Sequence, residues 1–240
     1  MRALGRWLTL VCISLLALQL FFVGRIALML ALDPQSTSFQ RSEAWRITRE
    51  KGGLKWQQQW VPYSAISDHL KRAVIASEDD DFINHGGVEW DAIEKAWQKN
   101  AKAEQVASAK PAKTTKRVKI VGGSTISQQL AKNLLLSGER SLLRKGQELV
   151  LTMALEHMLS KQRILEIYLN NVEWGEGVFG AEAAAQHYFR KSASQLSAYE
   201  AARLAVMLPA PKRYEKTPAS AYLSSRSATI VARMGDAELP

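Results

Sequence analysis

Residues Pro62–Gly87 read PYSAISDHLKRAVIASEDDDFINHGG. The first half predicts an amphipathic helix. Ser64 or Ser67 can cap it, and Ile66, Leu70, Ala73, Val74 and Ser77 recur at helical spacing. The helix runs into four consecutive acids, Glu78 to Asp81. Successive carboxylates repel one another, so at least one is expected to hold its proton more readily than a free carboxyl. A group poised that way suits a general base. A solvated acidic helix end is the plainer alternative. EF-hand spacing is absent, which argues against a calcium loop.

The helical pattern continues downstream. Val88–Gln98 predicts another helix. Ser124 or Thr125 caps a third through Leu136, with Gln128 three residues after Thr125 as in a capping box. Ser141 opens a longer one to about Leu159, and Lys161–Asn170 and Ala198–Leu208 follow. Alternating β-branched runs are few and no internal repeat is visible, so the fold class is mainly α, in one lobed domain.

Upstream, Trp7–Gly24 (WLTLVCISLLALQLFFVG) carries no charge, and the apolar run resumes after Arg25. The segment is long enough to cross a bilayer. Arg2 and Arg6 precede it, which predicts a cytoplasmic N-terminus and the remainder outside. A cleaved signal would need a small-x-small site after the apolar core, and Phe21–Arg25 offers none. The predicted organisation is a tip and transmembrane anchor over 1–35 and an outer domain over 36–240. Asp33–Arg41 reads as a polar linker, and Ala44–Val61 shows no decisive period.

Composition removes other classes. The chain has 240 residues, 47% of them hydrophobic, enough for a sizeable core. The one cysteine, Cys12, lies in the anchor, and the four histidines, at 69, 85, 157 and 187, show no ligand spacing, so zinc chemistry is not indicated. The net charge of +9 resides mainly in Lys95–Lys119, where eight basic residues face one acid, Glu104. This basic insertion, about 95–121, reads as a loose loop. Beside an anchor it suits an anionic lipid surface better than nucleic acid, and a solvated loop with no partner is the alternative.

Three more patterns carry chemistry. Gly122–Asn133 (GGSTISQQLAKN) puts glycines before a helix start, where free N–H groups and the helix dipole attract anions, with Lys132 further along. Walker spacing is absent. In Arg144-Lys145-Gly146-Gln147-Glu148 both cations share a helix face with Glu148, an ion-pair spacing. Lys161–Asn170 (KQRILEIYLN) reads chiefly as packing.

In this order, ED-x-x-F-x-x-H-x-G, G-x-STI-x-QQ-x-x-KN, RK-x-x-E and K-x-x-ILE-x-YLN resemble the motifs of the peptidoglycan glycosyltransferases. The similarity runs from about Pro62 to Tyr214. That domain occurs alone, in monofunctional biosynthetic transglycosylases, and as the first half of class A penicillin-binding proteins. No S-x-x-K or K-T-G occurs here, so the resemblance is to the monofunctional form.

The resemblance implies a lysozyme-like two-lobed fold with one N-terminal transmembrane helix, on the outer face of a bacterial inner membrane. It implies transfer of a lipid-pyrophosphate-linked glycan to the 4-hydroxyl of the N-acetylglucosamine of lipid II, forming a β-1,4 bond with inversion. Glu78 matches the catalytic glutamate, the expected general base, and Glu148 the second essential glutamate. Lys132 and Arg140 match pyrophosphate contacts, with Ser124 and Gln129 beside them, and Arg144 and Lys145 join this substrate-binding set. Asp79, Phe82, His85 and Gln128 are expected supports. Glu148 would order these cations or hold a divalent cation, Mg or Mn; the sequence leaves both roles open. No organic cofactor is implied. Expected partners are lipid II, the growing strand, the inner membrane and other cell-wall synthesis or division proteins. A hydrolase of the lysozyme type would need no pyrophosphate-binding cations, and the segment Gly122–Glu148 argues against it.

Overall fold

The computed structural model describes residues 2–91, 94, 98, 123–136, 138–139 and 141–240. Most of the basic insertion, with Arg140, lies outside these residues. Ten helices are described: α1 Arg2–Leu28, α2 Ser38–Lys51, α3 Asp68–Glu78, α4 Ile126–Leu135, α5 Leu142–Met158, α6 Lys161–Asn171, α7 Ala181–Phe189, α8 Ala198–Met207, α9 Pro211–Glu215 and α10 Ala221–Arg233. Trp90, Asp91, Glu94 and Gln98 are also helical. The fold is mainly α, as the spacing predicts.

The predicted caps form. Ser67 accepts the His69 N–H, and Thr125 and Gln128 complete a reciprocal capping box at the start of α4. The polar linker is shorter than the sequence suggests. Thr37 accepts the Gln40 N–H at 3.0 Å while Gln40 Oε1 accepts the Thr37 N–H at 2.8 Å, and this box starts α2 inside the expected linker. Only Gln40 and Ile47 of α2 are buried, so it has no apolar stripe to reveal it.

Helices α3, α8 and α10 pack together on one side, and α4 and α5 pack together on the other with α1 against α5. Helix α6 packs on α4, α5 and α7 and buries Ile164, Leu165, Ile167, Tyr168 and Leu169, while Gln162 stays exposed. A small sheet, β1 (Gln57–Gln58), β3 (Val178–Phe179) and β2 (Glu173–Gly175) in that spatial order, closes one end. Strand β1 pairs parallel with β3, and β2 antiparallel with a bulge.

Helix α1 spans 27 residues and is long and apolar enough to cross a membrane. At 1.5 Å per residue it reaches about 40 Å, against about 30 Å of hydrocarbon. Its C-terminal end is tied to the domain. Ile26 and Met29 are buried, and Arg163 donates to Met29 O at 2.9 Å, Leu32 O at 3.1 Å and Asp33 Oδ1 at 2.8 Å. Further along α1, the Gln19 and Gln147 amides exchange two hydrogen bonds of 2.9 Å, which dock α5 on the anchor.

Gly180 marks a close approach of two backbones. Its φ of 85° and ψ of 157° suit glycine alone, and a Cβ there would lie 2.6 Å from Asn170 O. Gly180→Ala should therefore cost about 2 kcal/mol or more, lowering the melting temperature by about 4–8 °C. Thermal unfolding by circular dichroism checks this.

Candidate active site

Glu78 is the last residue of α3. The helix stops there because Asp79 leaves helical geometry, with φ −164° and ψ 74°, and turns its side chain inward. Asp79 is buried. Its Oδ2 accepts the N–H of Ile126, the first residue of α4, at 2.8 Å, and its Oδ1 accepts His85 Nε2–H at 2.8 Å. The Gly87 N–H donates to His85 Nδ1 at 3.0 Å, which fixes the ring proton on Nε2. Thr125 Oγ1 donates to Gly87 O at 2.6 Å. One carboxylate thus joins the end of one helix to the positively polarised start of another.

The loop between is held from below. Gly87 has φ 88°, and a Cβ on it would meet Glu156 Cγ at 2.7 Å and Thr152 Cγ2 at 2.8 Å. Lys161 donates to His85 O at 2.6 Å and to Glu156 at 2.8 Å, with its ammonium 4.6 Å from the centre of the buried Phe82 ring.

This splice sets Glu78 one turn from the start of α4. Gln129 Nε2 donates to Glu78 Oε2 at 2.9 Å, and Tyr168 Oη donates to Gln129 Oε1 at 3.0 Å. Burial, with Glu78 and Asp79 nearby, pushes the Tyr168 hydroxyl well above its usual range, so it stays protonated and donates. The Gln129 amide is thereby oriented with its N–H toward the carboxylate. The Glu78 carboxyl is pushed up, first by burial and then by Asp79, against the Gln129 hydrogen bond and Lys132. The acid run raises one carboxyl as expected, but desolvation rather than mutual repulsion is the main cause.

Glu148, 3% exposed, lies on α5. Arg144 Nη1 donates to its Oε2 at 2.9 Å, and Lys145 Nζ donates to its Oε1. Arg144 Nε is buried without an acceptor among the described residues. Lys132, on the exposed side of α4, is affected by both glutamates. Desolvation by the cleft walls lowers its ammonium pKa, Glu148 and Glu78 oppose this, and Arg144 and Lys145 add repulsion.

A cleft of about 480 Å³ is lined by Gln129, Lys132, Asn133, Arg144, Glu43 and Glu173, among others. A smaller one of about 190 Å³ lies beside Glu78, with Ser124, Asp80, Glu89 and Arg233 on its wall. The Glu78–Gln129 hydrogen bond sits where the two approach. Gln128 is buried and spent on the α4 cap, so its place is structural. Arg140 lies outside the described residues. In the sequence Tyr168 and Lys161 read as packing, and nothing marks Glu43, Glu173 or Lys212. For Tyr168 the one signal is a hydroxyl among the apolar positions of its run.

A sequence family described as transglycosylase matches residues 46–235. A biosynthetic peptidoglycan transglycosylase of Paraburkholderia xenovorans is 50% identical over 98% of this chain and 94% of its own length. One of Herminiimonas arsenicoxydans is 52% identical over 100% and 99%. One of Burkholderia thailandensis is 51% identical over 100% and 90%. The chain belongs to the transglycosylase family.

Asp79→Ala should strip acceptors from Ile126 N–H and His85 Nε2–H together. A loss of about 2–4 kcal/mol in unfolding free energy is expected, measured by denaturant titration of the purified chain.

Proposed function

We propose that the chain polymerises peptidoglycan: it transfers a lipid-pyrophosphate-linked glycan to lipid II. The observation that carries this reading is the partly dehydrated Glu78 carboxylate held by Gln129 beside a cleft walled by Lys132 and Arg144. Glu78 takes the proton from the 4-hydroxyl of the acceptor N-acetylglucosamine. The freed oxygen attacks C1 of the donor sugar on the face opposite its pyrophosphate. The C1–O bond to the pyrophosphate breaks, and the electron pair leaves on undecaprenyl diphosphate. One displacement gives a β-1,4 bond with inversion.

A base and an electrostatic clamp suffice for this chemistry. A carboxyl pushed up by burial is a stronger base than a free one. Diphosphate is a good leaving group, so its developing charge needs stabilisation more than a proton. Lys132 and Arg144 supply that, and Arg140 is assigned with them from the motif. The donor lies along the larger cleft and the acceptor enters past Ser124.

Glu148 acts by ordering the cations. Both its oxygens already bind Arg144 and Lys145, and no group of three or more metal-ligating side chains occurs among the described residues. Around Glu148 the described side chains do not complete a divalent-cation site. The reaction balances without an organic cofactor, and the missing S-x-x-K limits the chain to glycan transfer.

Helix α1 holds the cleft at the bilayer, with the N-terminus cytoplasmic and the domain outside. Leu142 and Leu143 at the start of α5 are 91% and 88% exposed, and α5 packs on the anchor. This edge suits the lipid surface from which both substrates rise.

The test is polymerisation of labelled lipid II in detergent. The parent should make long strands. Glu78→Gln should lower the rate by about 10²–10⁴-fold, the usual worth of a general base. Glu148→Gln should lower it at least about tenfold, since two cations lose a charged partner. A parent inert on lipid II that shortens preformed strands would make the chain a hydrolase instead.

A further inference from the structure

A second group of charges faces the larger cleft, away from the reacting carboxylate. Glu43 from α2 and Glu173 from β2 line it, and Lys212 from α9 pairs with both. Glu43 is engaged through one oxygen. Lys212 Nζ donates to its Oε2, and Arg46 holds the same oxygen at 2.9 Å. Glu173 is left over. It is 6% exposed, and its Oε1 is sealed from solvent with no hydrogen-bond donor among the described residues. Its one partner among these residues is Lys212, whose Nζ forms a loose ion pair with that oxygen at 3.4 Å.

Glu182 provides the contrast. It is buried to the same degree, at 7% exposed, but its Oε2 accepts the Ala193 N–H at 2.7 Å and its Oε1 accepts Gln186 Nε2–H at 3.0 Å. That is how a buried carboxylate that serves the fold is satisfied. Glu173 is held as rigidly, between the fully buried Trp174 and the bulged pairing of β2 with β3, yet its carboxyl serves no contact of that kind. A buried carboxyl with one loose ion pair and no hydrogen bond costs stability. Its place on a cleft wall points to a ligand that completes it through Oε2, the oxygen not sealed from solvent.

We propose that Glu173, with Lys212 beside it, forms a saccharide subsite that hydrogen-bonds a hydroxyl or acetamido group of a sugar ring in the bound glycan. The inference rests on the glycan reading of the cleft given above. A neutral polar group fits better than a cation because Lys212 already stands where a ligand ammonium would. Burial, with Glu43 adding and Lys212 opposing, pushes the Glu173 carboxyl up to about 7. Near neutrality it is therefore present in both forms, one donating and one accepting, as sugar hydroxyls and acetamido groups do.

The test compares the full chain with Glu173→Leu and Glu173→Gln, reading lipid II kinetics and thermal unfolding together. Glu173→Leu should raise KM about 5–10-fold, the worth of one hydrogen bond, with kcat changed less than about twofold. Its melting temperature should equal or exceed the parent's, because the unsatisfied carboxyl is gone. Glu173→Gln, which can both donate and accept, should raise KM by no more than about twofold. Should the leucine variant fail to fold, Glu173→Asp, which withdraws the carboxyl by one methylene, should raise KM likewise. Parental KM in the leucine or aspartate variant overturns the subsite. Equal KM defects in Gln and Leu overturn it in favour of a cationic ligand group. A parent inert on lipid II overturns instead the functional reading beneath it.

Discussion

The cleft depends on one buried carboxylate. Asp79 ends α3 and, through two oxygens, fastens that end to the first N–H of α4 and to the imidazole of His85. Without this splice the last residue of α3 and the first turn of α4 would be independent pieces. With it, Glu78 and Gln129 are brought within a hydrogen bond, and Tyr168 from α6 decides which way the amide faces. The charge of Asp79 is matched to a helix N-terminus, where a carboxylate is favoured, and this offsets part of the cost of burying it.

The same economy separates two chemical environments in a small space. Glu78 sits in a poorly hydrated corner whose main effect is to make the carboxyl basic. Glu148 is more fully buried but has a cation on each oxygen, and is spent on holding Arg144 and Lys145 along one face of α5. Lys132 is affected by both carboxylates and links the two environments electrostatically. The anchor belongs to the same construction. Arg163 closes the open carbonyls at the C-terminal end of α1, and the Gln19–Gln147 pair docks α1 on the helix that carries Glu148. The height of the cleft relative to the anchor is thereby fixed.

Much of this was legible because helices announce themselves by period. The stripe from Ile66 to Ser77, the Thr125–Gln128 box and the long run from Ser141 all fall where the spacing puts them. Glu78, Lys132 and Glu148 stood out through the order of the motifs that hold them; by spacing alone they fit an acidic helix end, a cap and an ion pair. What stayed hidden lacks period. Helix α2 buries only two side chains, and the strands are two or three residues long, too short to alternate. The role of Tyr168 was obscured because a tyrosine in an apolar helix packs its ring whatever its hydroxyl does. Glu173 is one acid in a short strand, and only its three-dimensional setting reveals a carboxyl left unsatisfied. The cause of the Glu78 shift was also out of reach, since neighbouring charges are written in the sequence and burial is not.

The central claim is that the fold holds Glu78 in a desolvated position fit for a base. The most direct measurement is the titration of its carboxyl carbon by NMR in protein labelled at glutamate Cδ, with Glu78→Gln identifying the resonance. The account predicts a midpoint above the ordinary glutamate value of 4.5. A midpoint at or below that value would mean that the carboxylate is well solvated or held by cations, and would contradict the account.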